Sequence, residues 1–323
     1  MIRFFKSKYS FQPVIVVVFA VMLCFDAFYN PPPRTFCQFT LPFLNDFFNS
    51  VARFPTIAVF LGFCLLLLNA FIFNTIIVGN NIMGKYTYMP ALIYILLMSL
   101  FKINIILNNF SVVNLFILLI IRLLFKIYDK SDSYQQVLNI GFLLALISFF
   151  YFPGILLILF IWLVFIQFNI FSWREWTIIW IGLLIPYIFL SFFYFWFDNF
   201  YALLDIARLY YKSFYFHFHY TIYQVIFGSV LAFIVFVCLI YTMNGLERNT
   251  VIIRKKFILF ISLAVISLVA GSVYSQSSNS LSVFLLPSAL FASNYFQTVK
   301  KKFWRETIFI LLLLLFVYSR IFI

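Results

Sequence analysis

Charged side chains are scarce in this sequence, and negatively charged ones are the scarcest. Only 10% of the 323 residues are charged, with nine Asp and Glu against 22 Lys and Arg. A soluble domain carries about 25% charged residues. This chain is instead 65% hydrophobic, with a mean hydropathy of +1.08. The composition excludes a soluble globular protein.

Motifs of several common chemistries are also absent. The sequence has no Walker loop, no G-x-S-x-G elbow and no G-x-G-x-x-G turn, so nothing in it supports ATP-driven transport, serine hydrolysis or dinucleotide chemistry. The four cysteines show no C-x-x-C spacing, and the two histidines, His217 and His219, have no Cys or carboxylate cluster to complete a metal shell. We therefore expect no disulfide framework, no metal and no cofactor.

Long apolar runs separated by short basic segments fill the sequence. A membrane-spanning helix needs about 20 mostly apolar residues. The runs predict an all-α fold, a polytopic transmembrane helix bundle of about eleven spans. It forms a single integral membrane domain over residues 1–323, with no separate soluble domain. The predicted spans are residues 12–29, 56–78, 89–106, 111–128, 135–152, 154–171, 175–197, 221–243, 257–275, 281–297 and 306–323.

The basic residues predict how the chain is oriented. With the N-terminus in the cytoplasm, six of the 22 Lys and Arg residues fall on the outer side and the other 16 at cytoplasmic ends and loops. This asymmetry follows the positive-inside rule. The net charge of +13 therefore orients the chain in a membrane, which we expect to be the bacterial inner membrane, and we expect no nucleic-acid partner. The outer basic residues are Arg34, Arg53, Lys102, Arg208, Lys212 and Arg320.

Acidic residues on the outer side are the clearest candidates for chemistry. Ionisable groups in or near apolar spans are costly, so each is a candidate functional residue. Asp26, near the outer end of the first span, and Asp46, in the outer segment that follows, are the candidate catalytic carboxylates. We expect a headgroup position or a partner such as Arg53 to stabilise Asp26. The alternative for Asp46 is a structural role as a helix cap.

Basic residues are candidates for binding a substrate or a phosphate. On the outer side they are Arg34, Arg53, Arg208 and Lys212. On the cytoplasmic side, Arg174 is a candidate for contact with lipid phosphate. Its segment also predicts a capping box, with Ser172 as the N-cap of the seventh span and Glu175 three residues on. A purely structural role for this segment is the alternative.

The connection between the second and third spans is unusually polar for this chain. It contains Asn80, Asn81 and Lys85, and Asn69 and Asn74 precede it. Hydrogen bonds between helices and a broken helix are one interpretation. A polar cavity that opens to the cytoplasm, as in a transporter, is the other.

Four segments give the sequence a resemblance to a known family: residues 87–91 (TYMPA), 141–153, 173–176 (WREW) and 182–187. Over most of its length the chain resembles an uncharacterised family of multi-spanning bacterial inner-membrane proteins, a domain of unknown function. Some members carry a label as carotene-cleaving oxygenases. Such enzymes hold iron with about four histidines, and this chain has two, so the ligand count argues against that label.

The order of features is similar, at the level of architecture, to membrane glycosyltransferases that use polyprenyl-phosphate sugars. The shared features are an acidic outer segment after the first helix, here with Asp46, many short spans and a late hairpin at Pro287. This resemblance implies a polyprenyl-phosphate-linked substrate that is handled at the outer face of the membrane.

The sequence is compatible with three kinds of function, each with membrane lipids as partners. The first is a cell-envelope protein that acts on a lipid-linked substrate at the outer face, as a glycosyltransferase or polymerase does. It predicts that Asp26, Asp46 and an outer arginine converge on one cavity. The second is a transporter or flippase without an ATPase, for which a cavity that reaches the middle of the membrane is expected. The third is a non-catalytic subunit of an envelope assembly complex.

Overall fold

The described part of the structure is almost entirely helical. The computed structural model describes residues 11–32, 41–83, 87–129, 134–198, 201, 208, 222–246, 250–272 and 281–322. Within these ranges the chain forms twelve α-helices and no β-strand, which confirms the all-α fold class. The helices are α1 (Gln12–Tyr29), α2 (Pro42–Ala52), α3 (Pro55–Gly79), α4 (Met89–Ser99), α5 (Asn109–Asp129), α6 (Tyr134–Phe150), α7 (Leu157–Gln167), α8 (Trp173–Trp196), α9 (Ile222–Leu246), α10 (Val251–Ser272), α11 (Ser282–Thr298) and α12 (Lys302–Phe322).

Five of the described helices, α1, α3, α5, α8 and α9, are long and apolar enough to cross a membrane. Each of them coincides with a predicted span, and they are 18 to 25 residues long. A multi-pass integral membrane protein is therefore supported, whereas the count of eleven crossings and the cytoplasmic N-terminus stay predictions. The predicted span at residues 154–171 is divided into a 3-10 turn, Phe152–Leu156, and α7.

The predicted span at residues 89–106 is not one continuous helix. α4 ends at Ser99, and a 3-10 turn follows at Lys102–Ile105. An α-helix of 11 residues rises about 16 Å, roughly half the thickness of a bilayer core. The break is stabilised by a polar side chain, because Asn104 Nδ2 donates to Met98 O (3.4 Å). Such side-chain bonds satisfy backbone groups that a broken helix leaves free.

α4 and α11 form the centre of the bundle. Every residue of α4 is buried, as is most of α11. The two helices pack against each other, with α1, α3 and α12 around α4 and with α5, α9 and α10 around α11. In contrast, α8 and α9 expose large apolar side chains such as Trp180, Phe189 and Phe233. Exposed apolar faces of this kind are expected on helices that contact lipid.

Contacts between the ends of helices show which ends lie together, and they agree with a chain whose successive long helices run in opposite directions. The Tyr151 hydroxyl donates to Ala270 O (2.7 Å), which joins the end of α6 to the end of α10. At the opposite end of the bundle, Lys256 Nζ donates to Asn80 Oδ1 (3.1 Å), which joins the start of α10 to the end of α3. We name these two ends the Asp26 end and the Lys256 end. Among the described residues, Lys126, Arg254 and Arg305, which charge assigns to the cytoplasm, belong to the Lys256 end.

Candidate functional site

Three charged side chains from separate parts of the chain meet at the Asp26 end. Lys102 Nζ lies 3.0 Å from Asp26 Oδ2, and Arg320 Nη1 lies 4.0 Å from the same oxygen. Asp26 belongs to the last turn of α1, Lys102 to the turn after α4, and Arg320 to the last turn of α12. We call these three residues the Asp26 cluster. With two cations and one carboxylate, the cluster carries an excess of positive charge.

Arg320 is held in place by backbone carbonyl groups. Its Nη2 donates to Leu23 O (3.3 Å) in α1 and to Ser99 O (3.2 Å) at the end of α4. A cation is favourable at this position because the C-terminus of a helix carries partial negative charge. The side chain is only 11% exposed, yet among the described residues neither Nε nor Nη1 has a hydrogen-bond partner. Two donors of a mostly buried cation are thus without a hydrogen-bond partner in the described part of the chain, and one of them, Nη1, faces Asp26 in the ion pair.

The turn that carries Lys102 is held from two sides. On one side, a side chain at Gly62 of α3 would clash with the backbone oxygen of Ile105, so only glycine allows this close approach. On the other side, Ser282 Oγ of α11 donates to Asn104 Oδ1 (2.9 Å). Contacts from α3 and α11 therefore fix the position of Lys102.

The Asp26 cluster reaches the surface of the bundle. The side chain of Asp26 is 45% exposed and that of Lys102 is 30% exposed, whereas Arg320 is much less exposed than either. A ligand can therefore reach Asp26 and Lys102 from outside, with Arg320 as the deepest of the three groups.

Asp26 was expected to be stabilised by a headgroup position or by a partner such as Arg53. Its partners in the structure are Lys102 and Arg320, not Arg53. Arg53 is exposed and directly follows α2. That helix packs on α3, and Leu41 just before it donates its N–H to Phe149 O (3.3 Å) at the end of α6.

Asp46, the other candidate carboxylate, is exposed in the middle of α2. It does not cap the helix, because the N-cap residue is Leu41, so the alternative role as a helix cap is also wrong. The ion pairs of the Asp26 cluster do not include Asp46. Its convergence with Asp26 on one cavity stays a prediction.

The remaining candidate residues are only partly described. Arg174 is exposed in the first turn of α8, and Ser172 is the N-cap of that helix as predicted, although its side chain makes no capping hydrogen bond. Arg208 is exposed. Arg34, Lys212, His217 and His219 lie outside the described residues.

Lys102 and Arg320 are members of the cluster that sequence reasoning did not select as site residues. In the sequence they contribute to the charge asymmetry but to no motif. Arg320 nevertheless follows an unbroken apolar run at residues 308–317, and a cation at the end of such a run is costly unless it is paired. That signal marks Arg320 as a candidate residue, but it does not identify Asp26 as its partner.

A second candidate site lies at the Lys256 end. It is a groove of about 990 Å³ between the C-terminal ends of α9 and α11 and the start of α12. We name it the Lys301 groove. Its lining combines basic, aromatic and aliphatic side chains, among them Lys300, Lys301, Trp304, Tyr241, Tyr295, Val237 and Ile240.

The polar connection after α3 adjoins this groove at Met83. Asn69 Nδ2 donates to Ser111 O (2.9 Å), which links α3 to α5, and Asn80 accepts a hydrogen bond from Lys256. The interpretation of these asparagines as hydrogen-bond partners between helices is confirmed for Asn69 and Asn80.

The Asp26 cluster and the Lys301 groove are two places in the described part of the chain where charged groups reach the surface of the bundle. No group of three or more His, Cys, Asp or Glu side chains that could hold a metal occurs in the described part of the chain. Comparison with protein-family models, curated proteins and solved structures finds nothing that matches this chain.

Proposed function

We propose that this is an integral membrane protein that binds a lipid-linked, phosphate-bearing substrate at the Asp26 cluster. In the orientation that charge predicts, this end faces outward, so the substrate is handled at the outer face of the bacterial inner membrane. The observation that carries the proposal is Arg320. This mostly buried guanidinium is fixed by two carbonyl groups, lies in an ion pair with Asp26, and has no hydrogen-bond partner for Nε and Nη1 among the described residues.

The chemistry of the cluster suits a phosphate group. Arginine and lysine form charge-assisted hydrogen bonds to phosphate oxygens, and arginine can offer two donors to one phosphate. Asp26 lies within 4.0 Å of both cations and holds them together before a ligand arrives. A phosphate that approaches Lys102 would meet the excess positive charge of the cluster and the free donors of Arg320.

An apolar groove at the same end supports a substrate with a lipid portion. This groove, of about 400 Å³, lies between the start of α9 and the end of α12, and its lining includes Tyr318 and Ile321 on either side of Arg320 in the sequence. Phe227, which also lines it, packs on Phe101 next to Lys102, with ring centres 5.4 Å apart. Apolar and cationic surfaces are therefore neighbours, as binding of an amphiphile requires.

Transfer of a sugar from a polyprenyl-phosphate carrier is the reaction that we propose for this site. The bond between the sugar carbon and the phosphate oxygen breaks, a bond forms between that carbon and an acceptor hydroxyl, and the hydroxyl proton passes to Asp26. Lys102 and Arg320 stabilise the phosphate that leaves with the bonding electrons. The support for this reaction is a partly exposed carboxylate beside two cations, together with the architectural resemblance of the sequence.

The binding step is tested with the full chain in lipid nanodiscs. We expect undecaprenyl phosphate to bind and the uncharged undecaprenol to bind at least about tenfold more weakly. Lys102→Gln should weaken binding of the phosphate form about tenfold, because one charge-assisted contact is lost. Arg53→Gln, which removes a cation from the same end but outside the cluster, is the matched control and should change binding by less than about twofold. Equal binding of the two lipids, or equal effects of the two variants, would overturn the proposal.

The transfer step is tested separately with Asp26→Asn. This variant should retain binding of undecaprenyl phosphate within about threefold and lose transfer from an undecaprenyl-phosphate sugar. Full transfer by Asp26→Asn would remove Asp26 from the reaction and leave the binding proposal in place.

A further inference from the structure

The Lys301 groove has a composition that the proposed function does not use. Lys300 and Lys301 are exposed at its rim, and none of the described residues that line it is Asp or Glu. Trp304, which lines the groove, is also exposed. Tryptophan is enriched where lipid headgroups meet the apolar core. The mouth of the groove therefore has the side chains expected at a headgroup layer with negative charge.

The start of α12 adds donors for an anion at this mouth. α12 begins at Lys302, directly after the two rim lysines, and the first N–H groups of a helix favour a bound anion. Arg305, in the first turn, is only 7% exposed, and among the described residues its Nε has no hydrogen-bond partner. It directly follows Trp304, which lines the groove, on α12.

The groove extends from this charged mouth into the apolar part of the bundle. Val237 in its lining lies nine residues before Leu246, the last residue of α9. That separation corresponds to about 14 Å along the helix axis, roughly half the thickness of a bilayer core. Along this depth, the rings of Tyr241 and Tyr295 pack 5.1 Å apart in the wall. One acyl chain of a phospholipid has a matching length.

We infer that the Lys301 groove is a binding site for one anionic phospholipid of the leaflet at the Lys256 end. The phosphodiester contacts the Lys301 side chain and the backbone N–H groups at the start of α12, and one acyl chain lies along Ile240 and Val237. Charge complementarity selects an anionic headgroup, and the depth of the groove selects a lipid over a soluble anion. Basic segments at the cytoplasmic surface attract anionic lipids for the same electrostatic reason. The inference concerns the end of the bundle opposite the Asp26 cluster and does not depend on its function.

The charge at the mouth is tested by titrating the detergent-solubilised full chain with phosphatidylglycerol and following bound lipid by native mass spectrometry. Lys301→Gln should weaken binding about fivefold, the effect of one lysine near a phosphate. Lys302→Gln is the matched control, because the neighbouring lysine does not line the groove and its Nζ lies 3.6 Å from Glu306 Oε1. We expect a change of less than about twofold in this control.

The depth of the groove is tested by filling it. Ile240→Trp should weaken binding of phosphatidylglycerol about tenfold, whereas Phe236→Trp, one turn earlier on α9 at an exposed position outside the groove, should leave it within about twofold.

Equal binding of phosphatidylcholine and phosphatidylglycerol would show annular lipid only and overturn the inference. Displacement of the lipid by millimolar inorganic phosphate would also overturn it, in favour of a soluble-anion site. Binding of undecaprenyl phosphate at the Asp26 cluster should stay unchanged in all four variants.

Discussion

Each end of the bundle buries one cation at the C-terminus of a helix, but the two cations are used differently. Arg320 donates to Ser99 O at the end of α4, and Lys256 donates to the backbone and side-chain oxygens of Asn80 just after α3 (3.3 and 3.1 Å). Both positions stabilise a helix end through the helix dipole. Arg320 also lies beside Asp26 and keeps free donors, whereas Lys256 packs over the Phe125 ring (5.3 Å).

This difference separates a structural cation from one that can bind a ligand. Lys256 is 6% exposed, so a substrate has little access to it. The Asp26 cluster places its deepest cation behind two partly exposed charges. At the Lys256 end, Lys300 and Lys301 are accessible cations at the mouth of the Lys301 groove. We therefore expect changes at one end to leave ligand binding at the other end intact.

The largest expected effect comes from a substitution at Gly62, because its close contact with the backbone of Ile105 supports the turn that carries Lys102. In Gly62→Ala the new methyl group would meet the backbone of Ile105, so the turn with Lys102 has to move. We expect a loss of about 2–4 kcal/mol in the free energy of unfolding and at least tenfold weaker binding of undecaprenyl phosphate, with phosphatidylglycerol binding retained.

Gly79→Ala provides the control, because the same helix has open space around Gly79. It should change the free energy of unfolding by less than about 1 kcal/mol. Denaturant unfolding in detergent and lipid titration measure both quantities. Equal stability of Gly62→Ala and Gly79→Ala would show that the turn is not fixed by α3.

A smaller effect is expected from removing Arg320 and Lys256 one at a time. Arg320→Met should cost about 2–3 kcal/mol, because Asp26 loses a partner and two carbonyl groups lose a donor. Lys256→Met should cost about 1–2 kcal/mol, because the backbone and side-chain oxygens of Asn80 lose their donor.

A double-mutant cycle with Asp26→Asn sharpens this comparison. The cycle with Arg320→Met should show a coupling of at least about 0.5 kcal/mol, whereas the cycle with Lys256→Met should be additive, since the two sites lie at opposite ends. Additive behaviour in both cycles would mean that Arg320 stabilises the helix ends without contributing to the cluster.

The sequence predicted the long helices well, because their apolar runs are nearly continuous. α1 coincides with the predicted span at residues 12–29, and α3 differs from its span by one residue at each end. The break after Ser99 was not predicted, because residues 99–106 contain neither Gly nor Pro and continue an apolar pattern. The polar group at the break, Asn104, bonds to neighbours that are known only from tertiary structure.

Asp26 was predicted as a site residue because a carboxylate near the end of an apolar helix is costly wherever it packs. Its partners could not be predicted, since Lys102 and Arg320 are distant in sequence and meet it only when α1, α4 and α12 assemble. The Lys301 groove is a similar case, because its lining comes from four helices and two connecting segments with no motif in common. The energetic cost of a charge in an apolar helix identifies a candidate residue. The neighbours of that residue are known only from the folded structure.

The smallest expected effect concerns an ion pair on the surface of the Lys256 end. Lys302 Nζ lies 3.6 Å from Glu306 Oε1, with side chains 65% and 51% exposed. Because solvent screens such a pair, Glu306→Gln should lower the free energy of unfolding by no more than about 0.5 kcal/mol, and 0.5 M salt should abolish even that difference. Asp26→Asn should cost more and retain most of its effect in the same salt, because its partner Arg320 is largely buried. Equal salt sensitivity of the two variants, measured by denaturant unfolding, would place the Asp26 cluster among ordinary surface pairs and remove the contrast between the two ends.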